Sequence, residues 1–303
     1  MLQLLTIPLS LLLDRILGEP QRYHPLVGFG AIVDRIEKTL NLGKHKISKG
    51  LLAWLLAVLP IVFITWFIDQ LIGGWWMSIL CGYLAIGWQS LRQHGQWVEQ
   101  ALLAGDLETA RTKLGWIVSR DTSSLNEEEI SRGGIESLLE NGSDAIFAPL
   151  FWLAVGGAPA VVLYRLSNTL DAMWGYRNDR FEKFGKYSAR IDDLLNIIPA
   201  RLTAVSYALA GNFMGGMKAW KAQIGQWYSP NAGVVMATGA GALSISLGGA
   251  ATYHGKQKSR PTLGSGPAPK AEDLSRALIL IDRCVYLWGS VALILAVSYE
   301  LLT

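Results

Sequence analysis

Leu51–Ile68 reads LLAWLLAVLPIVFITWFI, eighteen residues without a charge. A helix that crosses the hydrocarbon core of a bilayer needs about 20 apolar residues, and only helices and closed barrels satisfy their backbone there. A second uncharged run follows at Trp75–Leu91. With Asp69 and Gly73-Gly74 as the short turn between them, the two predict a transmembrane hairpin. Composition agrees: 51% of the residues are hydrophobic and 17% charged, where soluble domains average about 25% charged. Twelve tryptophans suit an interfacial aromatic belt. The expected fold is all-α, a polytopic integral membrane protein forming one membrane-embedded domain over residues 1–303.

Apolar segments fall at about 1–18, 50–68, 74–92, 145–165, 195–216 and 278–299, with a Gly/Ala-rich run at 232–251. The N-terminal run lacks a basic n-region and a small-x-small cleavage site, so it is expected to be retained. Loops 19–49 and 93–144 are rich in Lys and Arg, and the turn near 69–74 has neither, which puts both loops in the cytoplasm. The segment 166–194 is equally basic, so a single crossing by 145–165 would place it on the wrong side. Pro149, Gly156-Gly157 and Pro159 weaken a helix there, and 145–165 reads either as a broken or re-entrant element or as an ordinary span with prolines. Pro199 and Gly211 mark similar breaks in 195–216.

Segment 93–144 is expected to be helical. Asp106 is an N-cap for a helix over Leu107–Val118, and Ser124 with Glu127 fits a capping box opening a second helix. That second helix carries Glu136 and Glu140 at i and i+4, with Asp144 just beyond. Two carboxylates a turn apart repel unless a cation or basic group neutralises them, and oxygen-rich clusters suit Mg²⁺ or Ca²⁺. The three acids are therefore candidate metal ligands, or else a solvated face. Arg120-Asp121 is either a local ion pair or a phosphate-recognising element. Residues 252–272, which include the low-complexity stretch GKQKSRPTLGSGPAPK, read as a mobile loop.

Tyr176–Asp193 holds nine charged side chains in eighteen residues. At ~2.5–3.5 kcal/mol each, burying them in hydrocarbon would cost on the order of 25 kcal/mol, so this segment lies outside the lipid or lines a polar cavity. Asn168 and Asp171 precede it in an apolar context, where polar residues are functional candidates. Tyr176, Arg177, Asn178 and Arg180 supply donors for a phosphate or carboxylate. Ser229-Pro230-Asn231-Ala232-Gly233 is a turn signal whose backbone N–H groups suit an anion. The four histidines show no zinc spacing, Cys81 and Cys284 sit in apolar runs, and no GxxxxGK[ST] motif occurs, so any ATP is not held by a P-loop.

Taken together, LDRILGEPQRYHPLVGFG, VSRDTSSL, ESLLENGSDAIFAPLFW, YRLSNTLDAMWGYRNDRFEKFGKYSARIDDLLNIIPARLTA and SPNAGVVMATGAGALSISLGG closely resemble the adenosylcobinamide-phosphate synthase family of cobalamin biosynthesis (CobD/CbiB type). The resemblance runs from about Leu13 to Leu295. It implies a membrane-bound ligase of the bacterial or archaeal cytoplasmic membrane, with its site facing the cytoplasm. ATP and Mg²⁺ would drive an amide bond between the corrinoid adenosylcobyric acid and (R)-1-aminopropan-2-ol O-phosphate or a related amino alcohol. Under that resemblance Glu136, Glu140 and Asp144 would hold the metal, and Arg120, with Asp121 beside it, would meet phosphate together with Arg177 and Arg180. Asn168, Tyr176, Asn178 and Asn231 would orient substrate, and Asp171, Asp192 or Asp193 would take the proton from the amine. Other membrane-associated enzymes of the pathway, or a second copy of the chain, are the expected partners besides lipid. The rival classes are a small-molecule transporter and a non-catalytic membrane sensor of the same broad fold.

Overall fold

The computed structural model describes the chain apart from Met1, Gln21, Tyr23, Gly74, His254, Gly255 and Thr303; for Leu2 and residues 251–253 and 256–258 it describes the backbone alone. Twelve α-helices are described: α1 (Leu2–Leu17), α2 (Pro25–Leu40), α3 (Lys46–Ile72), α4 (Trp75–Ala85), α5 (Trp88–Leu103), α6 (Leu107–Gly115), α7 (Glu127–Gly142), α8 (Ala148–Trp174), α9 (Lys186–Ala210), α10 (Phe213–Gln223), α11 (Ala232–Leu243) and α12 (Glu272–Leu302). A π-helical turn, Ser143–Phe147, joins α7 to α8. Four short strands, β1 (Ser246–Gly248), β2 (Ala251–Tyr253), β3 (Lys256–Lys258) and β4 (Thr262–Gly264), pair antiparallel as β1–β4 and β2–β3. The helices α3 and α12 and the helical run Glu127–Trp174 are long and apolar enough to cross a membrane. The chain is a helical membrane protein.

The residues form two compact units, each discontinuous in sequence: 1–87, 148–197 and 289–303 make the first, and 88–147 with 198–288 the second. In the first unit, α3 buries a stripe of mostly small residues, Gly50, Ala53, Trp54, Ala57, Val58 and Thr65, and turns Leu52, Leu56, Leu59, Phe63 and Phe67 outward. Large apolar side chains outside and small ones inside suit a lipid solvent. Against that stripe pack Phe29 and Val33 of α2, Leu166, Leu170 and Trp174 of α8, and Phe184.

The break expected in 145–165 occurs at Gly156-Gly157, where φ/ψ leave the helical region and Gly157 has φ 62°. Its cost is met locally. Gln3 Nε2 donates to the Leu153 carbonyl at 2.7 Å, and the Ala158 N–H donates to Ser78 Oγ at 3.0 Å. Backbone groups released at membrane depth need such partners. Pro199 does not interrupt α9. It leaves the Leu195 carbonyl without its i+4 donor, and Trp152 Nε1 supplies one at 3.2 Å. The break in 195–216 comes instead at Gly211-Asn212, where the side chain of Asn212 caps α10.

Several boundaries differ from the sequence reading. The run Trp75–Leu91 divides after Ala85, and α4, with 11 residues, is about 16 Å long, too short to span. The helix α3 continues through Asp69 to Ile72 and ends at Gly73 in the left-handed conformation. Asp106 caps α6 as expected, but that helix stops at Gly115. The capping box opens at Asn126 with Glu129, two residues beyond the pair expected; the flanking Leu125 and Ile130 are buried, the arrangement of a hydrophobic staple.

In the second unit, all twelve residues of α11 are buried. Such all-round burial matches an all-round apolar sequence. α10 crosses it where Gly215 and Gly241 meet: a Cβ on Gly215 would lie 2.5 Å from the Gly241 carbonyl oxygen, and one on Gly241 would lie 2.4 Å from that of Gly215. Within 252–272 the described residues include β3, β4 and the buried Arg260 and Leu263.

Candidate functional site

The candidate residues divide between the units, and each unit has its own cavity. In the first unit a chain of hydrogen bonds runs across α8 and α9. Tyr164 donates to Asn196 Oδ1 at 3.1 Å, Asn196 Nδ2 donates to Asp192 Oδ2 at 3.1 Å, and Asn168 Nδ2 donates to Asp192 Oδ1 at 3.2 Å. Asp192 is buried. Desolvation, and then the charge of Asp171, push it well above the usual carboxylate range, while the two amides pull part of the way back. Asp171, Asp192 and Asp193 thus lie close enough to oppose one another's charge.

Beside them opens a cleft of about 570 Å³ lined by Arg177, Lys183, Lys186, Arg190, Tyr176 and Asp193. Its four cations come from the charged segment singled out in the sequence. Arg180 is not among them. Its guanidinium binds Glu37 of α2 through Nε at 3.1 Å and Nη2 at 2.6 Å, and holds that buried carboxyl below the usual range. Asn178 accepts from the backbone N–H of Arg180 and Phe181 and so shapes the turn. Both were candidates for substrate contact; here they fasten the segment.

In the second unit α7 carries Glu136 into the interior, with only 3% of its side chain exposed. Arg120 donates to its Oε2. Arg260 donates to both oxygens at 3.0 Å, and the Gly248 N–H donates to Oε1 at 2.9 Å. Arg260 further donates to the Gly249 carbonyl and lies 5.2 Å from the Trp227 ring. Glu136 is thus taken up by guanidiniums. Among the described residues, no three or more His, Cys, Asp or Glu side chains are grouped to hold a metal ion, so the expected trio of Glu136, Glu140 and Asp144 does not form such a centre. Glu136 and Glu140 do share the wall of a cavity of about 350 Å³ with Arg120, Asn141, Tyr228 and Arg260.

Asp121 accepts from the backbone N–H and hydroxyl of Ser123, which makes it part of a turn rather than an ion pair with Arg120. Asn231 is buried and accepts from Arg201, and Ser229 Oγ accepts from the backbone N–H of Asn231 and Ala232. His24 caps α2, its Nδ1 accepting from the Leu26 N–H. The sequence reading passed over Asn196, Lys183, Lys186, Arg190 and Arg260. Asn196 was detectable at i+4 from Asp192 on one helix face, and the three cations recur at helical intervals. Arg260, 124 residues from Glu136 and inside a low-complexity stretch, gave no signal.

A sequence-family model described as CobD/Cbib protein matches residues 7–281. The chain is 56% identical over 282 residues to the cobalamin biosynthesis protein CobD of Stutzerimonas stutzeri, covering 92% of this chain and 93% of the relative. It is 50% identical over 301 residues to the protein of that name from Chromobacterium violaceum, with 97% and 96% covered. For the protein of that name from Mycobacterium tuberculosis strain H37Rv the identity is 38% over 280 residues, with 89% and 88% covered. No solved structure matches. A match this long, with relatives this similar along almost their whole length, makes the chain a member of the CobD/CbiB family.

Proposed function

We propose that this protein acts in cobalamin biosynthesis as a single membrane-embedded synthase. It joins the free carboxyl of adenosylcobyric acid to the amine of (R)-1-aminopropan-2-ol O-phosphate, or a related amino alcohol, at the expense of ATP. The role in cobalamin biosynthesis follows from the family and from the names its relatives carry. The reaction itself rests on one observation above all: the cleft of four cations beside Asp193, next to Asp171 and the buried Asp192.

A carboxylate is a poor electrophile until a phosphoryl or adenylyl group is placed on it. ATP supplies that group, and Mg²⁺ enters as part of the nucleotide substrate. Arg177, Lys183, Lys186 and Arg190 are suited to hold its phosphates and offset the charge that builds on transfer. The attacking amine must lose a proton. A carboxylate raised above its usual range is a better proton acceptor near neutrality, and Asp192, held by Asn168 and Asn196, has that property. Asp193 lies on the cleft wall itself.

The test is mass spectrometry on detergent-purified protein given adenosylcobyric acid, aminopropanol phosphate and Mg-ATP. The expected product has the summed mass of the two substrates less water, with ADP and phosphate released in step. AMP and pyrophosphate would keep the ligase and replace acyl phosphate by acyl adenylate. Folded protein that yields no product would refute ligation.

A further inference from the structure

The cleft of the first unit has walls of two chemistries. Arg177, Lys183, Lys186 and Arg190 outnumber the acids that share it, Glu182 and Asp193, by four to two. None of the four cations makes an ion pair or a side-chain hydrogen bond among the described residues. Lys186 and Arg190 stand at i and i+4 of α9, where like charges repel. A polyanion laid along that face would relieve them.

The rest of the wall is apolar and aromatic. Ile47, from the first turn of α3, is 39% exposed, and Tyr176, just beyond α8, is 46% exposed. The Tyr176 side chain makes no hydrogen bond and meets no other ring among the described residues. Phe181, the other aromatic residue lining the cleft, is already engaged. Arg180 lies 4.9 Å from its ring, and it packs on the buried cluster that includes Trp54, Trp174 and Phe184. Tyr176 thus offers an open aromatic face immediately beside Arg177. The volume of about 570 Å³ falls within the range of ligand sites. Of the substrates in the ligase reading, the nucleotide alone joins an aromatic ring to a chain of phosphates.

We propose that Tyr176 is the platform on which the adenine ring of the nucleotide stacks, with Ile47 completing the apolar wall. The platform rests on the ligase reading for the identity of the nucleotide, and binding tests it without turnover. Calorimetry on the full chain in detergent, with neither corrinoid nor amine present, would compare Mg-ATP with magnesium tripolyphosphate. Both probes carry three phosphates, and only the first carries a base. Tyr176→Ala should weaken Mg-ATP about tenfold, the scale of one base on one ring, and leave tripolyphosphate unchanged. Tyr176→Phe keeps the ring and should restore the wild-type ratio of the two affinities. Arg190→Gln should weaken both probes together.

An unchanged ratio in Tyr176→Ala overturns the platform. So does wild-type protein that binds neither probe at millimolar concentration, or an Arg190→Gln variant that binds both as tightly as wild type. Amide product made by Tyr176→Ala with the wild-type KM for ATP would remove the platform and keep the ligase. The expected shift in ratio, in protein that makes no amide product, would keep the platform and remove the ligase.

Discussion

Asp192 is 7% exposed, with an amide N–H on each oxygen and the Asp171 carboxylate near enough to oppose its charge. Its folded pKa is raised, so between the unfolded value, about 3.9, and the folded one the native state holds the extra proton. Stability therefore falls as pH rises through that window, while the fraction able to accept a proton grows. We expect Asp192→Asn to flatten the pH dependence of thermal unfolding in detergent between about pH 4 and 8 and to abolish amide formation. A variant with wild-type turnover would remove Asp192 from the chemistry. Glu136 makes a second prediction. Its Glu136→Gln variant leaves two guanidiniums buried with a neutral partner, a change that costs ~3–5 kcal/mol, so a marked drop in thermal midpoint is expected. An unchanged midpoint would mean that the Arg120–Glu136–Arg260 bridge contributes little. At this scale the sequence was most informative about residue types and least about partners. Arg180 looked like a phosphate donor because nothing local shows that Glu37, 143 residues away, receives it.

The elements were easier to read where local chemistry defines them. Asp106 and the acidic start of α7 are legible because a cap acts within one turn. The box was displaced by two residues because the buried Leu125 and Ile130, rather than the first Ser-x-x-Glu match, fix where the helix enters. Asn126→Ala should cost about 1 kcal/mol, and Ser124→Ala almost nothing; equal effects would return the cap to Ser124. The kink in α8 was announced by Gly156-Gly157, but its repair by Gln3 and Ser78 involves distant parts of the chain. A Cβ at Gly157 would stand 2.7 Å from Gln3 Nε2 and 2.9 Å from Ser78 Oγ. With φ also positive, Gly157→Ala should destabilise by roughly 1–3 kcal/mol. Gly28→Ala, in α2 with nothing within 4 Å of the added carbon, should be neutral or slightly stabilising. Thermal unfolding of the two variants side by side checks the pair.

For the whole molecule, hydropathy gave the class: a helical membrane protein, with α3 and the apolar part of α12 visible as runs. It gave no hint that the chain builds two units from interleaved segments, since hydropathy carries no information on which runs pack together. A single cut near Phe147 or Ile197 leaves both units incomplete. Truncation after Phe147 is therefore expected to leave no protease-resistant fragment; a stable one would show that residues 1–147 fold alone. The contact of Gly215 with Gly241 bears on how such a sequence drifts. Neither position can acquire a side chain first, because each would drive its new carbon into the other's carbonyl. Variants that enlarge one should survive only with a displaced α10, and this crossing will change through rare joint events or not at all.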